Sequence, residues 1–237
     1  MVYVEGFILA VPAANKELYR KHANEAVSYF KGLGASRLVE CWGDDVPDGK
    51  LTDFKRAVKA KPDEVVLFSW VEYPSKQVRD AANEKMRADP NASAMAASMP
   101  FDAQRMVYGG FSVIVEEGDA AKPGYVDGTL MPVPADNKDA FRAWAARVAP
   151  VFKEHGATRI VDTWGDDVPA GKVTDFNGAV QATGNEKIAY CWVEWPSKDV
   201  RDTGWEKLMG DPRMNQDQVL FDGRRMIYGG FAPIVDQ

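Results

Sequence analysis

The chain is predicted to be an α+β protein built from two ferredoxin-like β-α-β-β-α-β repeats packed sheet to sheet, and three observations predict it. The first is a long internal repeat, in which Trp42-Gly43-Asp44-Asp45-Val46-Pro47 returns 122 positions later as Trp164-Gly165-Asp166-Asp167-Val168-Pro169. The second is the order of apolar patterns within each copy, which alternates strands and helices in the split βαβ sequence. The third is a burial argument. A sheet with helices on one face leaves its other apolar face uncovered, and a second copy in the same chain supplies the cover. Two facing sheets form a barrel-like core and shield their edge strands, so the pair is the covalent counterpart of an isologous dimer.

Each element follows from local chemistry. Val2–Val11 is β-branched and aromatic and reads as a strand closed by Pro12. Asn15 is an N-cap candidate for a helix to Leu33, since Tyr19, Ala23, Ala26, Phe30 and Leu33 recur three or four apart. Gly34 suits the left-handed position past the helix end. Arg37–Gly43 is a second strand, and Val46-Pro47-Asp48-Gly49 has the Pro and Gly of a type I turn. Glu64–Tyr73 is a third strand, and Ser75 caps a second helix that ends at Asp89-Pro90. Asn91–Pro100, rich in Ala, Ser and Met, reads as a short helix or a loop. Arg105–Val115 is the fourth strand, where Gly109-Gly110 signals a bulge or a close backbone approach.

The second half repeats this order, with Asn137 for Asn15, Gly156 for Gly34 and Ser197 for Ser75. After Asp211-Pro212 it is two residues shorter, so Arg225–Phe231 matches Arg105–Phe111. The expected units are residues 1–118 and 119–237, joined by a linker at about 116–124.

Composition bounds the function. In 237 residues the net charge is −6, spread over both halves without a basic block, which argues against a nucleic-acid partner. Cys41 and Cys191 are too few for a disulfide framework. No apolar run approaches the ~20 residues that span a bilayer, and the opening strand is interrupted by Glu5 and Gly6 rather than forming a signal sequence. The expected location is the cytoplasm, with no membrane partner.

The segments Tyr3–Phe7, Arg37 with Glu40–Pro47, Trp70–Lys76 and Arg105–Phe111 resemble the bacterial YbaA-like family, domain of unknown function 1428. The resemblance runs over nearly the whole chain, twice, whereas the family's usual member has one copy. It implies a dimeric α+β barrel, here formed within one chain. It transfers no catalytic residue. The wider superfamily that it resembles includes cofactor-independent monooxygenases, haem-degrading enzymes, small-molecule sensors and stress-response proteins, so fold does not fix function.

Candidate residues come from strand parity, since side chains two apart share a face. Glu40 and Trp42 share one on the second strand, and Phe68, Trp70 and Glu72 share one on the third. The second copy has Asp162 and Trp164, then Tyr190, Trp192 and Glu194. Because these strands are neighbours, a Trp pair with two carboxylates is a candidate pocket, completed by Arg105 and Tyr108 and by Arg225 and Tyr228. In the functional reading, aromatic walls hold a small apolar or aromatic molecule while a desolvated Glu takes a proton. In the structural reading, which the balance favours, Glu40 and Glu72 pair with Arg37, Arg105 or backbone donors.

Other chemistries lack a signature. Asp44, Asp45 and Asp53, with Asp166, Asp167 and Asp175, lack the spacing of a calcium loop and read as turn caps, with Lys50 and Lys172 as nearby cations. His22 aligns with Trp144 and His155 with Leu33, so neither histidine is repeated for a zinc or triad site. Met86, Met95, Met99 and Met106 read as packing residues, and no nucleotide-binding loop is present. No cofactor or metal is expected. The function expected is a small-molecule-binding barrel, in one version a cofactor-independent enzyme. The alternatives are a ligand sensor and a structural or stress-related protein without a ligand. Further homodimerisation of the tandem chain is compatible with all three.

Overall fold

The computed structural model describes residues 2–90, 98–215 and 219–237. Among the described residues the eight strands are β1 (Tyr3–Pro12), β2 (Arg37–Asp45), β3 (Glu64–Tyr73), β4 (Val107–Gly118), β5 (Tyr125–Pro134), β6 (Arg159–Asp167), β7 (Glu186–Trp195) and β8 (Ile227–Asp236). They close one antiparallel barrel in the order β1-β3-β2-β8-β5-β7-β6-β4. Each repeat contributes four neighbouring strands in the ferredoxin-like order. The edge strands that would otherwise lie open pair across the repeats, β2 with β8 and β6 with β4.

The helices are α1 (Lys16–Gly32), α2 (Phe54–Ala57), α3 (Lys76–Ala88), α4 (Lys138–Glu154), α5 (Phe176–Ala179) and α6 (Lys198–Gly210). Helix α1 lies over β2 and β8, and α4 over β6 and β4, so each long helix covers a joint between the repeats. Ser75 and Ser197 cap α3 and α6 through the amides of Val78 and Val200. Asn15 and Asn137 precede α1 and α4 without capping them. Their side-chain amides donate instead to the carbonyls of Pro100 and Leu220, which ties each helix start to the segment before the fourth strand. Gly34 and Gly156 take φ values of +105° and +106°, the left-handed ends predicted for both helices.

The fourth strand begins later and ends later than expected. Arg105 belongs to a short 3₁₀ turn, and β4 runs through Glu116–Gly118, which the sequence suggests as linker. Pairing with β6 of the other repeat is the cause, since Glu116, Glu117 and Gly118 align with Val161, Ile160 and Arg159. The bulge at Gly110/Phe111 is also present. Most of the Asn91–Pro100 segment, residues 91–97 with Met95, lies outside the described residues.

The barrel interior is filled by side chains of both repeats. Phe68 stacks on Tyr190 with ring centroids 4.4 Å apart, and Trp70 lies 4.6 Å from Trp192. Gly128 makes the first stack possible, because a Cβ there would meet the Phe68 ring at 2.6 Å. Separate outer clusters lie between the sheet and the helices, with Tyr19, Trp42 and Tyr73 in the first repeat. Phe141 and Trp164 form one in the second repeat, and Tyr125 and Trp195 another.

Candidate functional site

Cross-strand register decides which predicted residues meet. Val39 stands opposite Trp70 and Cys41 opposite Phe68, whereas Glu40 stands opposite Ser69 and Trp42 opposite Leu67. Directly opposed residues share a face. Trp70 and Glu72 therefore point into the barrel, while Glu40 and Trp42 point outward beneath α1. The expected single patch of Trp42, Trp70, Glu40 and Glu72 does not form. The second repeat divides in the same way, with Trp192 and Glu194 inside and Asp162 and Trp164 outside.

The inner group is a closed ion network on the pseudo-two-fold. Arg37 and Arg159 open β2 and β6 opposite Glu72 and Glu194. Arg37 reaches across to Glu194 at 2.8 Å and Arg159 to Glu72 at 2.7 Å, with Arg37–Glu72 at 3.5 Å and Arg159–Glu194 at 3.2 Å. The indole N–H of Trp70 donates to Glu72 and that of Trp192 to Glu194, at 3.0 and 3.1 Å. Each guanidinium lies 5.7 Å from a Trp ring, Arg37 over Trp70 and Arg159 over Trp192. Asp236 and Glu116 close the outer ends on Arg37 and Arg159. Burial would raise the Glu72 carboxyl, but the Arg159 hydrogen bonds and charge outweigh it and hold the group below its usual range. Trp70 and Glu194 are fully buried and Trp192 is 1% exposed, so the network is satisfied and sealed.

The outer group of the first repeat differs. The Tyr19 hydroxyl donates to Glu40 Oε2 at 2.7 Å, and the Ser69 hydroxyl donates to the same oxygen. Among the described residues, Oε1 accepts no hydrogen bond. Glu40 is half-buried rather than sealed, yet it is packed densely enough that desolvation raises its carboxyl above the usual range against the help of both hydroxyls. Its partner Tyr19 packs against Phe101 at 5.7 Å, and Trp42, on the same strand face, has the Lys16 ammonium 5.2 Å from its ring.

In the second repeat, Phe141, Asp162 and Cys191 replace Tyr19, Glu40 and Ser69. Burial lifts Asp162 to about 6, opposed by a hydrogen bond from the Cys191 thiol, and pushes that thiol well up. Trp164 repeats the Trp42 arrangement, with Lys138 at 5.4 Å.

The remaining predicted residues lie elsewhere. Arg105 clamps Glu64 at 2.6 Å and Asp102 at 2.9 Å, and Arg225 clamps Glu186 at 2.7 Å and Asp222 at 3.2 Å, each behind the start of a fourth strand. Tyr108 and Tyr228 face outward and are about half exposed, at 48% and 54%. Asp53 and Asp175 do cap turns, accepting from Arg56 N and Gly178 N. Asp44, Asp45, Asp166 and Asp167 instead bridge the repeats: Tyr125 donates to Asp44, Arg201 pairs with Asp45, Tyr3 donates to Asp166 and Arg79 pairs with Asp167. Among the described residues no cluster of His, Cys, Asp and Glu could hold a metal ion, and no helix is long and apolar enough to cross a membrane.

Sequence reasoning missed Tyr19 as a partner, Ser69 as a donor and Arg159 as a network member. Arg159 had a legible signal: like Arg37 it is two residues before an inward Val on its strand, at the matching position of each repeat.

An eight-stranded barrel of two ferredoxin-like units in one chain defines the class, a fused dimeric α+β barrel. The chain belongs to the DUF1428 family of proteins of unknown function, whose model matches residues 2–103 and again 124–223. It is similar to uncharacterized protein YbaA of Escherichia coli K12 and of Shigella flexneri, 59% identical over 117 residues, or 49% of this chain and 100% of the relative in each case. Among solved structures it resembles a candidate monooxygenase of Fusobacterium nucleatum, with TM-score 0.61, 10% identity and coverage of 100% and 94% of the two chains. It also resembles an anthrone oxidase-like protein, with TM-score 0.53, 10% identity and coverage of 100% and 92%. These similarities establish the fold.

Proposed function

We propose that the protein binds a small aromatic molecule with an acidic O–H group on the outer face of the first repeat, where Glu40 accepts its proton. One observation carries this reading: Glu40 has one oxygen held by two hydroxyl donors and the other without a hydrogen bond among the described residues, in a half-buried setting that raises its carboxyl. A carboxylate so raised is a stronger base than an exposed one. In the step within reach, Glu40 Oε1 takes the proton and the ligand's electron pair stays on its oxygen. Phe101 and the edge of Trp42, which is 7% exposed, are the aromatic groups nearest to it in the cluster beneath α1. The packed barrel interior leaves no room at the strands' inner face, which supports a reading in the layer beneath α1. Solved neighbours named for monooxygenase and anthrone oxidase-like chemistry are in keeping with a small-molecule barrel. The base assignment rests on Glu40 itself.

The sealed interior favours a second reading, a structural protein without a ligand. Ligand-observed NMR with 4-nitrophenol and naphthols separates the two. A phenol is expected to bind wild-type protein, to weaken at least tenfold in Trp42→Leu, and to show a pH profile that is flat in Glu40→Gln. No binding by any probe, or an identical profile in Glu40→Gln, sinks the proposal and leaves the structural reading.

A further inference from the structure

Helices α2 and α5 each lie between the end of one strand and the start of the next, and together they close the end of the barrel opposite the ion network. Phe54 packs edge-on against Phe231 at 5.4 Å, and Phe176 against Phe111 at 5.3 Å. A cleft of about 220 Å³ opens between the two helices, lined by matched residues of both repeats. Its apolar pair, Leu51 and Val173, is 46% and 38% exposed.

Both helices end in the same left-handed residue. Lys59 and Gln181, each with φ of +50°, are the non-glycine residues of positive φ among those described. Lys59 N donates to Arg56 O and Ala60 N to Lys55 O, and Gln181 and Ala182 repeat both bonds, so the bend is a helix-ending motif. Arg105 and Arg225 fix it further by donating to the Lys59 and Gln181 carbonyls at 2.9 and 2.8 Å. Glycine adopts this conformation most readily, and α1 and α4 are followed by it at Gly34 and Gly156. At Lys59 and Gln181 the chain has long polar side chains instead, and both residues line the cleft. Gln181 donates its amide to the Leu51 carbonyl across the repeats at 3.1 Å. Among the described residues the Lys59 ammonium has no such partner.

The charge of the cleft is one-sided. Arg56 lines the first-repeat wall where the second repeat has Gly178. Asp175 also lines it, but its two oxygens are engaged by the amides of Gly171 and Gly178 at 2.9 and 2.6 Å. Asp53 is engaged likewise by the Gly49 and Arg56 amides, with Arg56 Nε 3.3 Å away. We infer that this cleft binds a small carboxylate with an apolar body, whose charge meets Lys59 and Arg56 and whose hydrocarbon part lies against Leu51 and Val173. A neutral molecule leaves Lys59 without a counter-charge, and a cation is repelled by both groups. The volume is below the ~300 Å³ at which pockets for drug-sized ligands begin, which suits a short fatty acid. The lining shares no residue with the Glu40 layer, so this site stands apart from that reading.

Chemical-shift perturbation with hexanoate tests the inference, with hexanamide and hexylamine as neutral and cationic analogues. Hexanoate is expected to bind about fivefold more tightly than hexanamide, with hexylamine weakest, and to move the amides of residues 56–60 and 178–182. Lys59→Gly replaces the cation by the residue that the bend favours. It is expected to lower hexanoate affinity about fivefold while the melting temperature stays or rises, a split that a purely structural lysine would not give. Lys59→Gln, which copies the second repeat, is expected to lose the same affinity with most of the side chain kept. Equal binding of the three probes, no binding of hexanoate, shifts confined to other residues, or unchanged affinity in Lys59→Gly would overturn it.

Discussion

The two repeats agree where they face each other and diverge where they face their helices. Inside the barrel, Trp70 packs on Trp192, Arg37 pairs with Glu194 and Arg159 with Glu72, and Phe111 and Phe231 close the same core. Each of these side chains touches the other repeat, so a change in one copy must be accommodated by the second. Outside, each face is packed by helices and is freer to vary. Tyr19, Glu40 and Ser69 stand against Phe141, Asp162 and Cys191, and Glu5, Tyr73 and Asn83 against Asp127, Trp195 and Trp205. The second repeat fills its outer face with rings, while the first keeps hydroxyls, a carboxylate oxygen without a hydrogen bond among the described residues, and a cleft beside α3. A duplicated chain can thus vary one outer face while the other stays filled.

The largest expected effect breaks the shared interior. Arg159→Met leaves Glu72 and Glu194 buried with one guanidinium between them instead of two, and removing one member of a buried ion network costs about 3–5 kcal/mol. Urea denaturation should show that loss. A variant within about 1 kcal/mol of wild type would mean that the network adds nothing to the match between repeats. The same experiment on Arg225→Met, whose clamp lies behind a single fourth strand, is expected to show a smaller loss.

Next comes the outer face of the second repeat, where the effect depends on pH. Asp162 titrates at about 6 in the folded protein against a reference value of 3.8. Its folded pKa is raised, so the protonated form's contribution is complete below the unfolded value and is lost as pH rises through the folded one. Asp162→Asn is therefore expected to gain roughly 1–3 kcal/mol over wild type at pH 8 and little at pH 3.5. Thermal melts across that range check the sign. A gain that does not change with pH would show that Asp162 does not titrate in this window.

Legibility in the sequence follows the same division. The repeat, the strand order and the pairing of two sheets were readable, because they depend on patterns within elements and on the need to cover an apolar face. Parity within each strand was readable too. The phase between β2 and β3 was not, since the period of two fixes a face along one strand but says nothing of its offset from the next. That offset put Glu40 with Ser69 rather than with Trp70. Arg105 and Arg225 looked like strand residues, but Asp102 and Asp222 draw them into the turns before those strands. Tyr19 read as part of the apolar helix stripe, and only the folded structure brings its hydroxyl to a carboxylate.

A smaller effect tests the single difference within the central aromatic set. Tyr190 stands where the first repeat has Phe68, and its hydroxyl donates to the Ser69 carbonyl at 2.8 Å. Tyr190→Phe makes the pair symmetric and keeps the ring stack, so a loss of about 1 kcal/mol is expected from one hydrogen bond. A loss above about 3 kcal/mol would mean that the hydroxyl holds more of the interior than this contact.

Tyr19→Phe copies the second repeat into the first with the least change in shape, and its effect is read best on Glu40 itself. The Tyr19 hydroxyl favours the ionised carboxylate, so its loss leaves desolvation opposed by Ser69 alone. The Glu40 carboxyl should titrate at higher pH in the variant, as followed by carboxyl-carbon NMR. The raised pKa also sets the sign for stability. Wild type and variant should converge at low pH, where Glu40 is neutral in both, and separate as pH rises and the carboxylate lacks a donor. A constant difference between them would place the cost in lost packing rather than in the charge. An unmoved Glu40 titration would show that Ser69 governs this carboxylate, and Ser69→Ala would then be the variant that moves it.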